Sequence, residues 1–294
     1  MIEPYCGLVL LDKPEGMSSF QALAAVKRAA GTRKVGHTGT LDRFASGLLP
    51  ALVGPATRLA SLFLDLEKSY RATFVFGTAT TTLDPEGEVV DRGEVPGLER
   101  IEGILPDFTG FIEQVPPEYS AVHVEGRRAY ALKREGRQPV LKARTVLIRR
   151  IVVHRYDPPE LELSIDCGKG AYIRALARDL AKAIGTCAFV SSLRRTRVGG
   201  YRLEQAVRPE AFDPSRDVLP PVRFLADFPG LRCITIEERF RQPVLNGEPF
   251  REAWAGESAC TEGLCALFGG NGDLLALLER SSGTACYRLV FSGG

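Results

Sequence analysis

Apolar residues open the chain in one short continuous run and then recur at helical spacing. The run in GLVLLDKP predicts a short buried strand that stops at Pro14. The next segment, SSFQALAAVKRAAG, has a capping-box pattern with Ser18 as the N-cap and Gln21 three residues later, and Gly31 is a natural end for the predicted helix. A strand, a turn and a helix are therefore expected before the glycine-rich segment KVGHTGTLDRFASGLLP, residues 34–50.

Two strongly patterned segments follow in the middle of the chain. In YRATFVFG every second residue from Tyr70 onward is apolar or aromatic, which predicts a strand with one buried face, and TTTLDPEG then marks a turn. LELSIDC alternates in the same way, and after the break at GKG apolar residues recur at helical spacing from Ile173 to Ile184. Arg174 is therefore expected in the first turn of a helix that directly follows a strand.

Prolines separate this region from the end of the chain. Residues 207–230, VRPEAFDPSRDVLPPVRFLADFPG, contain five prolines and no sustained period, which predicts a connecting segment. Beyond it, LCALFGG and LLALLER are short strand-like runs between glycine-rich turns, as is typical of a small β-rich domain. The pattern thus predicts two domains, residues 1–230 and residues 231–294.

Composition narrows the class of protein. At 294 residues and 45% hydrophobic composition, the chain is long enough to bury a large core. Its seven cysteines, an odd number without a CxxC pair, favour a reduced cytosolic protein over a disulfide framework. The apolar run from Leu8 to Leu11 is too short for a signal peptide or a membrane span. We therefore expect a folded cytoplasmic protein with no membrane contact.

Charge is informative in its local clustering. The net charge of +2 is too small to indicate a nucleic-acid partner by itself. Residues 127–150, however, hold nine Lys or Arg against one acid, which favours a polyanionic partner. A solvated face with snorkelling side chains explains the same charge, and charge alone leaves both interpretations open. The nine cations are Arg127, Arg128, Lys133, Arg134, Arg137, Lys142, Arg144, Arg149 and Arg150.

The glycine-rich segment admits three interpretations. It nearly matches a phosphate-binding loop, but His37 stands where the lysine is needed, and the preceding glycine follows a predicted helix rather than a strand. It could instead be a structural turn in which Asp42 caps a helix in ASGLLPALVG. In the third interpretation Asp42 is a catalytic carboxylate on a loop whose glycines let a ligand approach closely.

A family resemblance favours the catalytic interpretation. HTGTLDRFASGLLP resembles the GTLDPLATGLLP signature of the TruB-type tRNA pseudouridine-55 synthases of bacteria, although Arg43 and Phe44 replace its Pro-Leu pair. The resemblance spans nearly all of residues 7–205, in the family's order. The other matching blocks are LDKPEGMSSF, EKSYRATFVFGTATTTLDPEG, QVPPEYSAVHVEGRRAYALKREG, CGKGAYIRALARDL and SSLRRTRVG.

This resemblance implies a fold and a function. The expected fold is an α/β (α+β) pseudouridine synthase core with a mixed, largely antiparallel sheet, followed by a small PUA-like β domain. The expected reaction isomerises uridine 55 in the T arm of tRNA by base flipping, without metal or cofactor. We expect a monomer that binds tRNA and needs no obligate protein partner. The alternatives are a noncatalytic tRNA-binding or folding protein and an NTPase.

The resemblance also implies the residues of the active site. Asp42 matches the catalytic carboxylate, Arg174 the arginine that pairs with it, and Tyr70 the active-site tyrosine that stacks on the target uracil. Tyr172 and Leu193 are expected to line the pocket. Asp42 acts either as a nucleophile or as a proton acceptor, and the sequence leaves both routes open.

Further positions are expected to contact RNA. His37 matches the family's histidine that fills the stack vacated by the flipped uridine. Asp84 matches a further RNA-contacting position. The basic run coincides with the family's RNA-gripping insertion, about residues 120–150, which is expected to contact phosphates. Its predicted contact residues are Arg127, Arg128, Lys133, Arg134 and Arg137.

The basic run generates a test. Replacing Lys133 and Arg134 together by glutamine should weaken tRNA binding and flatten its salt dependence, because binding with fewer phosphate contacts releases fewer counterions. Binding constants measured across a KCl series give the slope. A slope equal to that of the unchanged protein would make the run a solvated face.

Overall fold

The protein is described by a computed structural model covering residues 5–120, 123–124, 127–128, 141–255 and 262–291, with backbone only at 123–124 and 127–128. Three of the predicted RNA-contacting residues, Lys133, Arg134 and Arg137, lie outside the described residues. The predicted roles of all residues in the basic run therefore stay predictions. In the described part of the chain, no helix is both long and apolar enough to cross a bilayer.

Strands dominate the secondary structure. Those of the described residues are, in chain order, β1 (Gly7–Lys13), β2 (Val35–His37), β3 (Ser46–Val53), β4 (Lys68–Phe76), β5 (Thr78–Thr80), β6 (Val89–Arg92), β7 (Gly110–Gln114), β8 (His123–Val124), β9 (Arg127–Arg128), β10 (Arg144–Asp157), β11 (Glu160–Cys167), β12 (Ala188–Val198), β13 (Tyr201–Arg202), β14 (Leu231–Thr235), β15 (Gly263–Phe268), β16 (Leu274–Ser281) and β17 (Thr284–Val290).

Helices are fewer and mostly short. The α-helices of the described residues are α1 (Ser19–Ala29), α2 (Ala60–Leu64), α3 (Leu98–Ile104), α4 (Ile173–Ala183), α5 (Pro214–Asp217), α6 (Pro221–Phe224) and α7 (Arg241–Leu245). Short 3-10 helices span Gly54–Leu59, Leu105–Phe108, Leu203–Gln205, Pro209–Ala211, Glu238–Phe240 and Glu252–Ala255.

One large mixed sheet organises the first part of the chain. Its path is β1-β3-β12-β4-β11-β10-β7, with β2 paired to β3 and β13 paired to β12. The β3–β12 pair is parallel and the other pairs are antiparallel. The predicted α/β class with a mixed, largely antiparallel sheet is confirmed.

The predicted start of the chain is confirmed in detail. β1 is buried along nearly its whole length, and α1 begins after a complete capping box between Ser18 and Gln21. Leu23 and Val26 bury the inner face of α1. The helix ends at Ala29, and Gly31 follows with φ of +63°, a left-handed conformation that favours glycine.

The alternative in which ASGLLPALVG forms a helix is wrong. These residues form β3, which pairs with β1, β2 and β12. All residues of β3 after Ser46 are buried, and a strand covered on both faces is apolar at successive positions rather than alternate ones. A continuous apolar run has no period that separates strand from helix. Asp42 therefore caps no helix and precedes a central strand.

The later predicted elements are confirmed. β4 buries Ala72, Phe74 and Phe76 on one face, and β11 buries its alternate positions from Leu161 to Cys167. The two strands are paired, with Tyr70 opposite Ile165. α4 follows β11 after a short turn, and Arg174 is its second residue.

A smaller sheet ends the chain and packs on the first. Strands β14 to β17 lie in sequence order, with β14 parallel to β15 and the other pairs antiparallel. One apolar cluster contains Leu8 and Phe63 together with Ala266 and Leu277, so it joins the two sheets. A second cluster lies wholly within residues 234–290. The division at residue 230 stays a prediction.

The proline-rich segment is packed against the core. Val207 forms an isolated bridge with Leu11, and Leu219 forms one with Leu8, so the segment covers the edge of β1. Phe224 and Phe228 insert their rings beside Phe63. Residues 207–230 therefore connect the two parts of the chain by continuous apolar contact.

Phe63 should carry much of this packing. It is fully buried, and its ring centroid lies 5.8 Å from that of Tyr201 and 5.2 Å from that of Phe228. Phe63→Ala should lower the free energy of unfolding by about 3–5 kcal/mol, because it leaves a cavity that neighbours fill only partly. Urea denaturation measures this loss.

The matched control is Phe111→Ala. The Phe111 side chain on β7 is 78% exposed, so its removal should change the free energy of unfolding by less than about 0.5 kcal/mol. Equal losses in the two variants would contradict the assignment of Phe63 to the shared core.

Candidate active site

A pocket of about 290 Å³ lies where the glycine-rich loop meets the large sheet. Its described wall includes loop residues 38–42, Tyr70 of β4, the start of α4 and two residues of β12, Leu193 and Arg195. This volume is just below the range of roughly 300–1,000 Å³ that is usual for small-molecule sites. Asp42, Tyr70, Tyr172, Arg174 and Leu193, which are far apart in the sequence, all line it.

Asp42 and Arg174 form an ion pair on the pocket wall. Arg174 Nη2 lies 2.9 Å from Asp42 Oδ2. The Arg174 side chain is only 4% exposed, whereas that of Asp42 is 38% exposed. The carboxylate therefore faces the pocket while the guanidinium holds it from within the protein. The predicted pair is thus present in the structure.

A second carboxylate holds Arg174 from the other side. Arg174 Nη1 lies 3.0 Å from Asp84 Oδ2, and both side chains are 4% exposed. The guanidinium also donates to the carbonyl oxygens of Thr82 at 2.8 Å and Tyr119 at 2.9 Å. Because a planar guanidinium with several fixed partners has little freedom, its orientation toward Asp42 is set.

Hydrogen bonds within the turn at residues 82–86 hold the Asp84 carboxylate in place. The carboxylate accepts hydrogen bonds from the Thr82 hydroxyl and, at 3.1 Å, from the backbone N–H of Glu86. The residue is 3% exposed, so its observed contacts belong to the protein interior. The predicted contact between Asp84 and RNA stays a prediction, and the described geometry supports a positioning role instead.

The electrostatics of Asp42 combine opposing effects. Burial raises the pKa of its carboxyl above the usual value, Arg174 lowers it, and the like charge of Asp84 raises it again. Burial is the largest of these effects, so the net direction is upward. A carboxylate with a raised pKa is a better proton acceptor than an exposed aspartate.

Tyr70 extends from β4 into the same pocket. Burial raises the pKa of its hydroxyl, and the neighbouring Arg195 guanidinium opposes this effect. The ring therefore lies in the pocket as a neutral aromatic surface at neutral pH. Such a surface suits the face of a planar ring.

Arg195 links Tyr70 to the glycine-rich loop. Its Nε donates to the carbonyl oxygen of Leu48 at 2.7 Å and its Nη2 donates to that of Gly39 at 3.1 Å. The residue is 2% exposed. Its contacts bracket Asp42 in the chain, so one buried cation holds both ends of the loop beside Tyr70.

Tyr172 and Leu193 complete the wall. Gln114, which is 1% exposed, accepts from the backbone N–H of Tyr172 at 2.8 Å and donates to its carbonyl oxygen at 3.1 Å. This pair of hydrogen bonds fixes the residue that precedes α4. Leu193 is 7% exposed and supplies an apolar surface.

The loop around Asp42 is tied down from several directions. Lys13 Nζ donates to the carbonyl oxygens of Met17 at 2.6 Å and Arg43 at 3.4 Å. Ser19 Oγ accepts from the N–H of Leu41 at 2.9 Å and donates to its carbonyl oxygen at 2.8 Å. These contacts connect the loop to β1 and to the first turn of α1.

The two unusual residues after Asp42 have opposite environments. Arg43 is exposed, and its Nε donates to the carbonyl oxygen of Gly16 at 2.9 Å and lies 3.9 Å from Glu86. Phe44 is 5% exposed and belongs to the main core. Arg43 thus joins the loop to the turn before α1, and Phe44 supplies apolar packing.

The predicted RNA-contacting residue His37 is not part of the described pocket wall. His37 ends β2, opposite Ala51 of β3, one residue before the first pocket residue Thr38. Because the glycine-rich segment joins two strands, it has no helix N-terminus to bind phosphate as in an NTPase. Within the described residues, no cluster of three or more His, Cys, Asp or Glu side chains is arranged to hold a metal ion.

Comparisons with known proteins agree with this geometry. Residues 27–173 match the family described as TruB family pseudouridylate synthase (N terminal domain). The tRNA pseudouridine synthase B of Caulobacter sp. (strain K31) is 43% identical over 244 residues, which are 80% of this chain and 78% of that protein. This chain belongs to the TruB family. The predicted resemblance is confirmed.

The relationship extends over the whole chain of another TruB relative. The tRNA pseudouridine synthase B of Thermobifida fusca (strain YX) is 39% identical over 297 residues, covering 98% of this chain and 99% of that protein. A solved structure, the crystal structure of a Cbf5-Nop10-Gar1 complex, matches with a TM-score of 0.70 and 24% identity, covering 97% of this chain and 84% of that one. At this identity the structural match supports the fold.

Several residues of this TruB site escaped the sequence analysis. Arg195, Gln114 and Lys13 all hold the pocket, and each is a polar side chain almost completely buried. A signal existed only for Lys13, whose place in the apolar run of β1 indicates a buried charge. Arg195 and Gln114 have no such signal, because their partners are backbone atoms of distant segments.

The raised pKa of Asp42 leads to a measurable prediction. Carbon-13 NMR titration should give the Asp42 carboxyl a pKa above the ordinary aspartate pKa of about 3.9. Asp84→Asn should lower this pKa, because it removes a like charge and leaves Arg174 to interact with Asp42 alone. The Asp42 signal is assigned by its loss in Asp42→Asn.

The control for this titration is Asp107→Asn, which changes an exposed carboxylate on the 3-10 turn Leu105–Phe108. It should leave the Asp42 titration unaltered. An upward shift in Asp84→Asn, or an equal shift in both variants, would contradict the assigned electrostatics.

Proposed function

We propose that this protein is a tRNA pseudouridine synthase that isomerises uridine 55 in the T arm of tRNA. The observation that carries the proposal is the pocket-facing carboxylate of Asp42, held at 2.9 Å by the buried guanidinium of Arg174 beside the aromatic ring of Tyr70. A fixed carboxylate, a cation and a stacking surface are the groups that this reaction requires. A noncatalytic tRNA-binding protein has no need for this combination.

Family membership supports the same reaction. The relatives that are 39% to 43% identical carry the name tRNA pseudouridine synthase B. One of them aligns over nearly the full length of both chains, so the relationship includes the C-terminal residues. tRNA is therefore the substrate assigned to this protein.

The chemistry is an isomerisation within one nucleotide. The bond between N1 of the base and C1′ of the ribose breaks, the base turns, and a bond forms between C5 and C1′. The C5 proton is lost and N1 gains one, so no atom is transferred from outside and no metal or cofactor is required. Asp42 acts either as a nucleophile toward the sugar or base or as the acceptor of a proton.

Each wall of the pocket has a proposed part in this reaction. Tyr70 and Leu193 hold the two faces of the flipped uracil, and Tyr172 closes the side at the start of α4. Arg174 keeps the Asp42 carboxylate oriented and favours its ionised form. A water-poor pocket strengthens this pairing, because charges interact more strongly where the dielectric constant is low.

RNA binding requires the target base to leave its stack, at a cost of a few kcal/mol. His37, at the end of β2 and next to the pocket wall, is the residue proposed to occupy the vacated space. The basic run at residues 127–150 is proposed to contact phosphates of the T arm. Residues 231–294 form the proposed PUA-like domain of a cytoplasmic monomer, with the catalytic domain at residues 1–230.

Asp42→Asn tests the reaction directly. It should reduce pseudouridine formation in an unmodified tRNA transcript by at least about 10²–10⁴-fold, because the amide is neither a nucleophile nor a base. Pseudouridine is mapped in the T arm in buffer with a metal chelator, and tRNA binding is measured in parallel. Binding should be largely retained.

The matched control is Asp107→Asn, which removes an exposed carboxylate away from the pocket and should leave turnover unaltered. Absence of pseudouridine at the T-arm uridine with the unchanged protein would refute the proposed function. Turnover that survives Asp42→Asn would refute only the role of Asp42.

A further inference from the structure

We propose that the surface formed by the end of α1 and the turn into β2 binds the phosphate backbone of the tRNA next to the flipped nucleotide. This surface, the α1–β2 basic face, consists of Lys27, Arg28, Arg33 and Lys34 with the aromatic ring of Phe20. The inference rests on the proposed function for the identity of the RNA. The charge and shape of the surface are independent of that function.

The face carries charge of one sign. Four cations occupy residues 27–34, and no acidic residue occurs between Glu15 and Asp42. Such a segment keeps a positive potential that attracts a polyanion, whereas interspersed acids would cancel it.

Several other surface cations of the described residues are neutralised by a neighbouring carboxylate. Arg71 pairs with Glu162, Arg149 with Glu67 and Lys169 with Asp65, and further examples occur along the sheet. In the part of the chain that the structure describes, none of the four cations of the α1–β2 basic face has a carboxylate within 4.0 Å.

A tight turn brings the two pairs of cations together. The backbone N–H of Gly31 donates to the carbonyl oxygen of Arg28 at 3.3 Å, and that of Thr32 donates to the carbonyl oxygen of Lys27 at 3.2 Å. Gly31 has φ of +63°, so the chain reverses sharply after α1. Four like charges are therefore held on one short rigid segment.

The same turn forms a shallow depression lined with cations. Its volume is about 390 Å³, and its wall includes Lys27, Arg28, Gly31 and Arg33. The side chains of Arg28, Arg33 and Lys34 are exposed. A concave surface with several cationic donors suits phosphate oxygens better than a flat array does, because more than one donor can reach the same group.

An exposed aromatic ring borders the cations. Phe20 is 70% exposed, and Lys27 Nζ lies 4.6 Å from the centre of its ring. Aromatic surfaces next to a cationic track are a common platform for nucleic-acid bases. RNA supplies both groups at once, phosphates for the cations and a base or ribose for the ring, which favours RNA over an acidic protein segment.

The face lies close to the active site. β2 runs from Val35 to His37, directly after Lys34, and leads into Thr38 of the pocket wall. A strand rises about 3.3 Å per residue, so Lys34 is about 10 Å from His37 along the chain. An RNA whose base enters the pocket passes this surface with its neighbouring phosphates.

The dipole of α1 offers a structural explanation for part of the charge. Cations in the last turn of a helix compensate its negative end, which accounts for Lys27 and Arg28. Arg33 and Lys34 lie beyond the helix, in the turn and at the start of β2, where no dipole favours them. Arg33 and Lys34 are therefore the residues to replace in the experiment, because the helix dipole does not account for their charge.

The experiment compares Arg33→Gln combined with Lys34→Gln against a control of equal charge change, Arg92→Gln combined with Lys182→Gln. Arg92 and Lys182 are both exposed and lie on β6 and in the last turn of α4, away from the pocket wall. Binding of unmodified tRNA is measured across a KCl series, and thermal unfolding verifies that each variant is folded.

The Arg33→Gln, Lys34→Gln variant should bind tRNA several-fold more weakly. The slope of log K against log salt should fall in magnitude by roughly 1.5, because the variant makes two phosphate contacts fewer and its binding therefore releases fewer counterions. The control should keep the slope of the unchanged protein. A first-variant slope equal to that of the control overturns the proposal. An acidic protein as the true partner would give this negative result.

A further variant separates stacking from charge. Phe20→Ala should weaken binding without changing the salt slope, because a ring releases no counterions. Phe111→Ala, at another exposed aromatic residue, should change neither the affinity for tRNA nor the salt slope. If the unchanged protein forms no pseudouridine in the T arm, the proposed function fails, whereas the salt slopes still decide whether this face binds RNA.

Discussion

The buried guanidinium of Arg174 is the constraint on which the rest of the site depends. An arginine with 4% exposure is tolerable only where carboxylates and carbonyl oxygens replace its water, and removing one partner of such a buried pair typically costs about 3–5 kcal/mol. Asp84 and two carbonyl oxygens meet that requirement from inside the protein. The remaining donor of Arg174 can then hold Asp42 at the pocket surface. The buried Arg174–Asp84 pair thus orients the Arg174–Asp42 pair, whose carboxylate is partly exposed.

The same logic explains how a glycine-rich loop becomes rigid. Gly47 has φ of +101°, and a Cβ there would lie 2.3 Å from the carbonyl oxygen of Arg195, so β3 and β12 approach as only glycine allows. That approach brings the Arg195 side chain under the loop, where it meets the carbonyl oxygens of Gly39 and Leu48. Backbone flexibility in the sequence is thus converted into fixed geometry by buried cations on both sides, Arg195 and Lys13.

Local patterns predicted local structure, and the site depends on contacts that no local pattern contains. The capping box of α1 and the alternation of β4 are properties of neighbouring residues, so they were predictable. The pairing of Asp42 with Arg174 follows from the order of strands in the sheet and was expected only through the family resemblance. Asp84 sits in a sequence that signals a turn, and nothing in that signal indicates a buried carboxylate.

The electrostatic field at the surface depends on where the charges lie and not on their total. The net charge is only +2, and residues 231–294 hold six arginines against eight acids, so neither the protein as a whole nor its C-terminal part is strongly basic. Several described surface cations on or beside the large sheet, such as Arg71, Arg149 and Lys169, are paired, which confines their fields to short range. Residues 16–41 contain no acid, and within the described structure the cations of the α1–β2 basic face have no carboxylate within 4.0 Å, so this segment keeps an outward field beside the pocket. Partner recognition therefore depends on where acids are missing.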